Sequence, residues 1–300
     1  MEVWVGGIII FLGIIKEYKQ ILLLLRCRRL AQQKPVRSVG VFLKEGLERR
    51  TASDIVRKIV NAGLQTYTYL DDLSSEGAIK VSDVNELRGK VDVIISVGGD
   101  GTLLRTLRML RDETPVLAVN VGQRGILSEI KPEELDEALM KLKRGDYLLD
   151  RRMRLVARTT VELPPATNEV YVVRRRHIGT PLITIGLGEV QISVRMDGVV
   201  VSTPTGSTGH AYSLKGPVLQ ENLDSVLIVP ASPLKYMPPM VIRPQPITIK
   251  VDQPADVVVD GQEVFELESG GGVEISRYKF DAILVRLRSF AFKQLIKMIS

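Results

Sequence analysis

This 300-residue chain contains one cysteine, Cys27, and only two histidines, His177 and His210. A lone cysteine excludes an internal disulfide framework and fits a reducing cytoplasm. Two histidines without paired cysteines make no zinc cluster, and neither an HExxH nor an EF-hand spacing occurs. No structural metal is expected. Long hydrophobic runs are also missing. Val3 to Ile15 is apolar but stops at Lys16 and Glu17, and Ile21 to Leu25 runs straight into the basic stretch Arg26 to Arg29. Spanning a bilayer takes roughly 20 apolar residues, so neither run suffices. Glu2, with no early Lys or Arg, argues against a secretory signal. Residues 1–34 therefore read as an apolar and basic extension. It is a packed extra helix or translated sequence upstream of the true start, with a membrane-surface anchor as the third reading. A strong charge field is missing too. Forty-one Lys and Arg face 35 Asp and Glu, and six of those bases with only two of the acids fall within the first 34 residues. What remains gives no reason to expect a nucleic-acid partner.

From Val36 the rhythm is strand, helix, strand, helix. "VRSVGVFL" reads as a strand and "TASDIVRKIVNAGL" as a helix with Ile55, Ile59 and Ala62 on one face. Thr51 and Asp54 are spaced as its capping box and Gly63 as its stop. "QTYTYL" alternates as a strand, while "VDVIISV" and "PVLAVNVG" are apolar enough for burial on both faces. "TLLRTLRMLRD" and "KPEELDEALMKLKRG" have helical periodicity, the latter ending at Gly145. This alternation predicts a Rossmann-like α/β domain with a parallel sheet over residues 35–150. Beyond Asp150 short strands and turn residues dominate, with Asp197-Gly198 reading as a hairpin turn between "EVQISVRM" and "VVVS". A β-rich, sandwich-like second domain is expected over 151–280. A tail, 281–300, holds a last amphipathic stretch from Phe290 to Ile299.

Two stretches carry the chemistry. Gly98-Gly99-Asp100-Gly101 lies between a buried strand and a helix, at the carboxyl edge of the parallel sheet where ligands bind. The glycines admit close backbone approach, and the helix start, with Thr102 as its expected cap, suits phosphate. Asp100 would repel phosphate directly. It makes sense as a holder of a phosphate-bound metal or as acceptor of a hydroxyl proton; alternatively it is a turn residue capping backbone groups. The second stretch, Ser202 to Gly209, packs five hydroxyls and two glycines around Pro204, chemistry for a polar ligand or a solvated loop. Asn168-Glu169 could bind ribose hydroxyls or a base. Asp197 and Asp260 each precede glycine as turn residues do. Arg174 to Arg176 read as a solvated face, and Arg105 lies one turn beyond the glycine loop, within reach of phosphate.

Together GGDGT at 98–102, Asn168-Glu169, Asp197-Gly198, TPTGST at 203–208, Gly216-Pro217 and Asp260-Gly261-Gln262 resemble, in order and spacing, the NAD kinases. "AVNVGQRGIL" at 118–127 also looks like that family. The resemblance runs from Val36 to Arg288. GGDGT alone is shared with diacylglycerol-type lipid kinases; its combination with TPTGST and DGQ is far more specific. The resemblance implies transfer of phosphate from ATP or polyphosphate, with Mg²⁺ or Mn²⁺ bound to the donor, to the 2′-hydroxyl of the adenosine ribose of NAD. It implies a β-rich second domain and a tail returning to the first. It also implies a homodimer or homotetramer whose neighbouring subunits share the NAD site.

Position by position, Asp100 is the implied base or metal-linked carboxylate. Gly98, Gly99, Gly101, Thr102 and Arg105 lie beside the nucleotide. Asn168, Glu169, Arg195 and Asp197 contact NAD, Asp197 from the same or an adjacent chain. Thr208, Gly209, His210, Ala211, Tyr212, Ser213 and Gln262 line the remainder. Here the family often places a tyrosine at the position of His210, so a smaller ring with pH-dependent charge faces the base; a shifted loop would offer Tyr212 instead. A lipid kinase and a catalytically silent NAD(P)-binding regulator are the rival functions. The first leaves TPTGST and DGQ unexplained, and the second has no use for Asp100.

Overall fold

The apolar runs after Val36 become a parallel sheet flanked by helices in the computed structural model, which describes residues 33–69, 76–122, 125–176, 178–288 and 293–299. The N-terminal extension as far as residue 32, together with Gln123, Arg124, His177 and Phe290, lies outside the described residues. The first elements are β1 (Ser38–Leu43), α1 (Arg49–Asn61), β2 (Gln65–Thr68), β3 (Ile79–Lys80), β4 (Val93–Gly98), α2 (Asp100–Met109), β5 (Val116–Asn120), α3 (Leu135–Arg144) and β6 (Leu148–Arg152). Strands β4 and β5 are buried along their whole length, because side chains on both faces meet helices. On one face Val39, Val41, Ile95 and Val97 share a core with Ile55 and Ile59 of α1 and Leu135, Leu139 and Leu142 of α3. On the other, Phe42, Ile94 and Val116 meet Leu103, Leu104 and Leu107 of α2. The period-2 alternation of the strands thus assigns each helix to its side.

Helix ends depart from the sequence expectation. α1 begins at Arg49 with Glu48 as N-cap, so the expected capping box is absent; Thr51 donates to Glu48 (3.4 Å) and Asp54 pairs with Arg57 (3.5 Å). Ala52 already belongs to the buried face, and its packing draws the helix upstream of the polar signal. Thr102 is not a cap either. Gly99 is the N-cap of α2, and the Thr102 side chain covers Gly98, leaving no room for a Cβ there. The glycine stops hold: α3 ends at Gly145 in the left-handed region (φ 76°), and Gly63 (φ 76°) follows α1.

The β-rich part contains β7 (Leu155–Arg158), β8 (Glu169–Arg174), β9 (Leu182–Leu187), β10 (Val190–Arg195), β11 (Gly198–Ser202), the one-turn α4 (His210–Ser213), β12 (Val226–Ala231), β13 (Met240–Ile242), β14 (Ile247–Val251), β15 (Ala255–Val259), β16 (Glu263–Leu267) and β17 (Gly272–Arg277). They form two antiparallel sheets, ordered β10-β9-β14-β17-β7 and β13-β12-β11-β8-β15-β16. A core including Val170, Val172, Ile183, Ile185, Val199, Val201 and Ile249 lies between them. The chain then returns. β18 (Ala282–Arg286) enters the first sheet between β5 and β6, parallel to β5 and antiparallel to β6, and α5 (Lys293–Ile299) follows. The first sheet is therefore ordered β3-β2-β1-β4-β5-β18-β6. No described helix is long and apolar enough to cross a membrane.

Asp197-Gly198 is not a hairpin. β10 pairs with β9 in one sheet, whereas β11 pairs with β8 and β12 in the other, so the dipeptide carries the chain between sheets. Glycine is needed at 198 for space: a Cβ there would lie 2.6 Å from the Val172 carbonyl oxygen and 2.7 Å from the Tyr171 ring. Asp260-Gly261, by contrast, is a true reversal between β15 and β16, with both φ values positive (50° and 65°) as a type I′ turn requires. Gly198→Ala should destabilise the fold by about 1–3 kcal/mol through overpacking. Urea denaturation measures this, and an unchanged midpoint with unchanged slope would contradict the crowding.

Candidate functional site

Strand β4 delivers Asp100 to the carboxyl edge of the first sheet, as the first residue of α2. The carboxylate is clasped from the loop after β5. Oδ2 accepts the Ile126 N–H (2.7 Å), and Oδ1 accepts the Leu127 N–H (3.1 Å) and the Ser128 hydroxyl (3.1 Å). That loop is anchored from below. Arg286 of β18 donates to the Leu127 carbonyl (2.8 Å) and to Glu129 (3.2 Å), and its Nε donates to Asp150 (2.9 Å). Asp150 also takes two bonds from Arg152 (2.7 and 2.6 Å). All four charged groups are buried.

A second polar cluster grows from Asp260. Its buried carboxylate accepts the backbone N–H groups of Thr167 (3.1 Å), Asn168 (2.7 Å) and Glu169 (3.3 Å), fixing the turn that enters β8. Burial pushes Asp260 up to about 6, against those amides and the charge of Arg108. Glu169 is pushed up to about 8, first by burial and then by Asp260, while the His210 N–H pulls the other way. Thr167 Oγ1, Asn168 Oδ1 and Glu169 Oε2 are buried without a hydrogen-bond partner. Each such atom costs roughly 1–3 kcal/mol unless something polar meets it. Three such atoms lie together at this one turn.

Gln262 joins the two clusters. Its Nε2 donates to the Gly101 carbonyl (3.0 Å) and its Oε1 accepts from Arg108 of α2 (3.0 Å), which also pairs with Glu263 (2.6 Å). The loop over 203–208 folds onto the same turn: the Thr203 N–H donates to the Asn168 carbonyl (2.8 Å) and its hydroxyl to the Thr167 carbonyl (2.6 Å). Gly209 brings α4 against Glu169, and the His210 ring lies 4.8 Å from that of Tyr171, tilted by 47°.

The expected site residues thus divide. Gly98 to Thr102, Asn168, Glu169, Thr208, Gly209, His210 and Gln262 gather around this junction. Ala211 instead packs into a small core with Val200, Leu227 and Val229, while Tyr212 and Ser213 are exposed. Arg105 is held by Glu45 and lies over the Phe42 ring. Arg195, on the edge strand β10, donates to the Thr180 carbonyl (2.8 Å) and faces Asp252 (3.6 Å); Asp197 pairs with Arg174 (3.2 Å). Sequence reasoning missed Ser128, Arg108, Tyr171, Asp260 as an organiser, Gln294 and Lys297. The Asp260-Gly261 turn hid a second role for its carboxylate, and nothing in the sequence around Lys297 announces that its ammonium donates to the carbonyls of Gly125 (2.6 Å) and Ser128 (2.8 Å).

Linkage gives the pH dependence of this arrangement. Between its ordinary value of 4.5 and about 8, folded Glu169 keeps a proton that the unfolded chain has released. Stability must then fall as pH rises through that window, by at most about 1.4 kcal/mol per pH unit for one group. Glu169→Gln keeps the shape and removes the titration, so its urea midpoint should decline less than the parent's from pH 5 to 8. Parallel curves would contradict the raised carboxyl.

Comparison with known proteins gives the family. Residues 12–147 match the family model of the ATP-NAD kinase N-terminal domain and residues 167–287 that of the ATP-NAD kinase C-terminal domain. An NAD kinase of Methanopyrus kandleri is 34% identical over 267 residues, covering 86% of this chain and 95% of its own. One from Methanosarcina acetivorans is 31% identical over 87% of this chain and 98% of its own. The fold is shared with a crystal structure of an Archaeoglobus fulgidus NAD kinase in complex with ATP (TM-score 0.72, 24% identity, 87% of this chain and 98% of that one). It is also shared with yeast NADH kinase complexed with NADH (TM-score 0.79, 19% identity, 89% and 87%).

Proposed function

The chain belongs to the NAD kinase family, and from that premise we propose how its own residues convert NAD to NADP, with Asp100 at the reacting end. The observation that carries this reading is the junction at Gln262. It sets a turn with three unpartnered buried oxygens, a hydroxyl, an amide oxygen and a carboxyl oxygen, suited to ribose hydroxyls and a base, beside the carboxylate that begins α2.

A carboxylate offers about four lone-pair directions. Three on Asp100 are taken by Ile126, Leu127 and Ser128, which leaves one on Oδ2. That direction is free to accept the proton of the ribose 2′-hydroxyl as its oxygen bonds to phosphorus and the donor's bridging P–O bond breaks. At the start of α2 the Thr102 and Leu103 N–H groups return to the Gly99 carbonyl, so it is the Asp100 and Gly101 amides, beside bare glycines, that suit the donor phosphates. Asn168 and Glu169 would hold the adenosine ribose, and His210 with Tyr171 the adenine. Among the described residues no three His, Cys, Asp or Glu side chains group as metal ligands. Mg²⁺ or Mn²⁺ would arrive bound to the donor phosphates and neutralise their charge; the one open position on Asp100 serves either that metal or the hydroxyl proton, and here it takes the proton.

ATP is the donor expected first and polyphosphate the alternative. A homodimer or homotetramer with shared NAD sites accompanies this reading. The positions of Arg195 and Asp197, engaged away from Asp100, favour service to a neighbouring subunit's site. The single cysteine fits cytoplasmic NADP synthesis. The test is Asp100→Asn with NAD, Mg²⁺ and ATP or polyphosphate, NADP being followed through an NADP-specific dehydrogenase. Turnover should fall roughly 10²- to 10⁴-fold with NAD binding and fold retained. Near-parental turnover would remove Asp100 from the chemistry.

A further inference from the structure

Helix α5 lies against both halves of the site. Gln294 is buried; its Nε2 donates to the Thr205 carbonyl (3.1 Å) and the Thr208 hydroxyl (3.2 Å), and its Oε1 accepts from Arg152 (2.6 Å). Its backbone N–H donates to Glu221 (2.8 Å). Three residues on, therefore on the same helical face, the half-buried Lys297 grips the opposite loop through the carbonyls of Gly125 and Ser128. Those two residues bracket the donors to Asp100, namely the Ile126 and Leu127 amides and the Ser128 hydroxyl. The loop is thus pinned between a carboxylate on one side and an ammonium on the other.

We propose that Lys297 is a positioning residue for phosphoryl transfer: it fixes the 125–128 loop, and through that loop the orientation of the Asp100 carboxylate. The proposal rests on the NAD kinase reading for its kinetic consequence, though not for its structural one. Without the ammonium the carbonyls of Gly125 and Ser128 lose their shared donor, and the loop can turn its amides away from Asp100. Pairing Lys297 with Gln294 on one short helix also ties that orientation to the loop carrying Thr205 and Thr208. The strap therefore couples the acceptor side of the site to the reacting end.

The test compares Lys297→Met and Lys297→Arg with the parent. Native-state hydrogen exchange at the Ile126 and Leu127 amides should speed up by about tenfold or more in Lys297→Met, with the amides of β4 unchanged. In the NADP assay kcat should fall roughly 10- to 100-fold while KM for NAD changes less than about threefold. Lys297→Arg, which can bridge the same two carbonyls, should recover most of both losses; if Lys297→Met does not fold, Lys297→Arg is compared with Lys297→Gln instead. Unchanged exchange at both amides overturns the proposal whatever the kinetics. So does accelerated exchange with kcat within twofold of the parent. If the parent itself makes no NADP, the functional reading fails, and the exchange data alone decide whether Lys297 holds the loop.

Discussion

The three hydrogen bonds into the Asp100 carboxylate are the constraint around which the rest of the site is arranged. They need a loop whose backbone amides point inward, and that loop holds its shape because Arg286 reaches its Leu127 carbonyl from the adjacent strand. Arg286 arrives only because β18 crosses back from the β-rich part and inserts between β5 and β6. Burying Arg286, Arg152, Asp150 and Glu129 together costs several kcal/mol of desolvation per ion. The two-bond Arg152–Asp150 pair and single bonds from Arg286 to Asp150 and Glu129 offset part of it, while Arg286 Nη2 stays without a hydrogen-bond partner. Removing Asp150 would leave both buried arginines without a carboxylate they share. The chain closes its first sheet with its last strand, so the Asp100 carboxylate is not held in this orientation until β18 has docked.

The second half of the site is governed by burial. Asp260 uses a left-handed turn (φ 50°) to aim a carboxylate at three successive amides, and so fixes Asn168 and Glu169 without filling their own side-chain valences. The atoms left over, Asn168 Oδ1 and Glu169 Oε2, are the ones on which the proposed nucleotide contact rests. Gln262, two residues after Asp260, spans to Gly101, so one hairpin both organises the 167–169 turn and ties it to the start of α2. This makes the DGQ triplet a single mechanical part.

Much of the fold was legible because its signals are periodic. The parallel sheet, the helices that cover it and the antiparallel sandwich follow from alternation and apolar faces. Signals that rest on one residue type fared worse, since the same residue serves different needs. Gly198 suggested a hairpin and instead clears space beside Val172 and Tyr171. Thr102 suggested a cap and instead packs over Gly98. Within the site, GGDG and Asn168-Glu169 were visible as glycine and polar clusters. Ser128, Arg108, Tyr171 and Lys297 were not, because each acts through partners more than fifteen residues away in sequence and has no local pattern of its own. The family resemblance carried Ala211, Tyr212 and Ser213 along with their neighbours, whereas only the fold reveals that Ala211 faces a core and the other two face outward.

The most direct test is ³¹P NMR of the product made by the parent protein from NAD and ATP with Mg²⁺. Phosphate placed on the adenosine 2′-oxygen should give one new phosphomonoester resonance, coupled to the ribose H2′, that grows as ADP appears. A phosphomonoester on another hydroxyl would contradict the orientation argued from Asn168, Glu169 and Asp100. ADP and inorganic phosphate alone would contradict transfer to NAD.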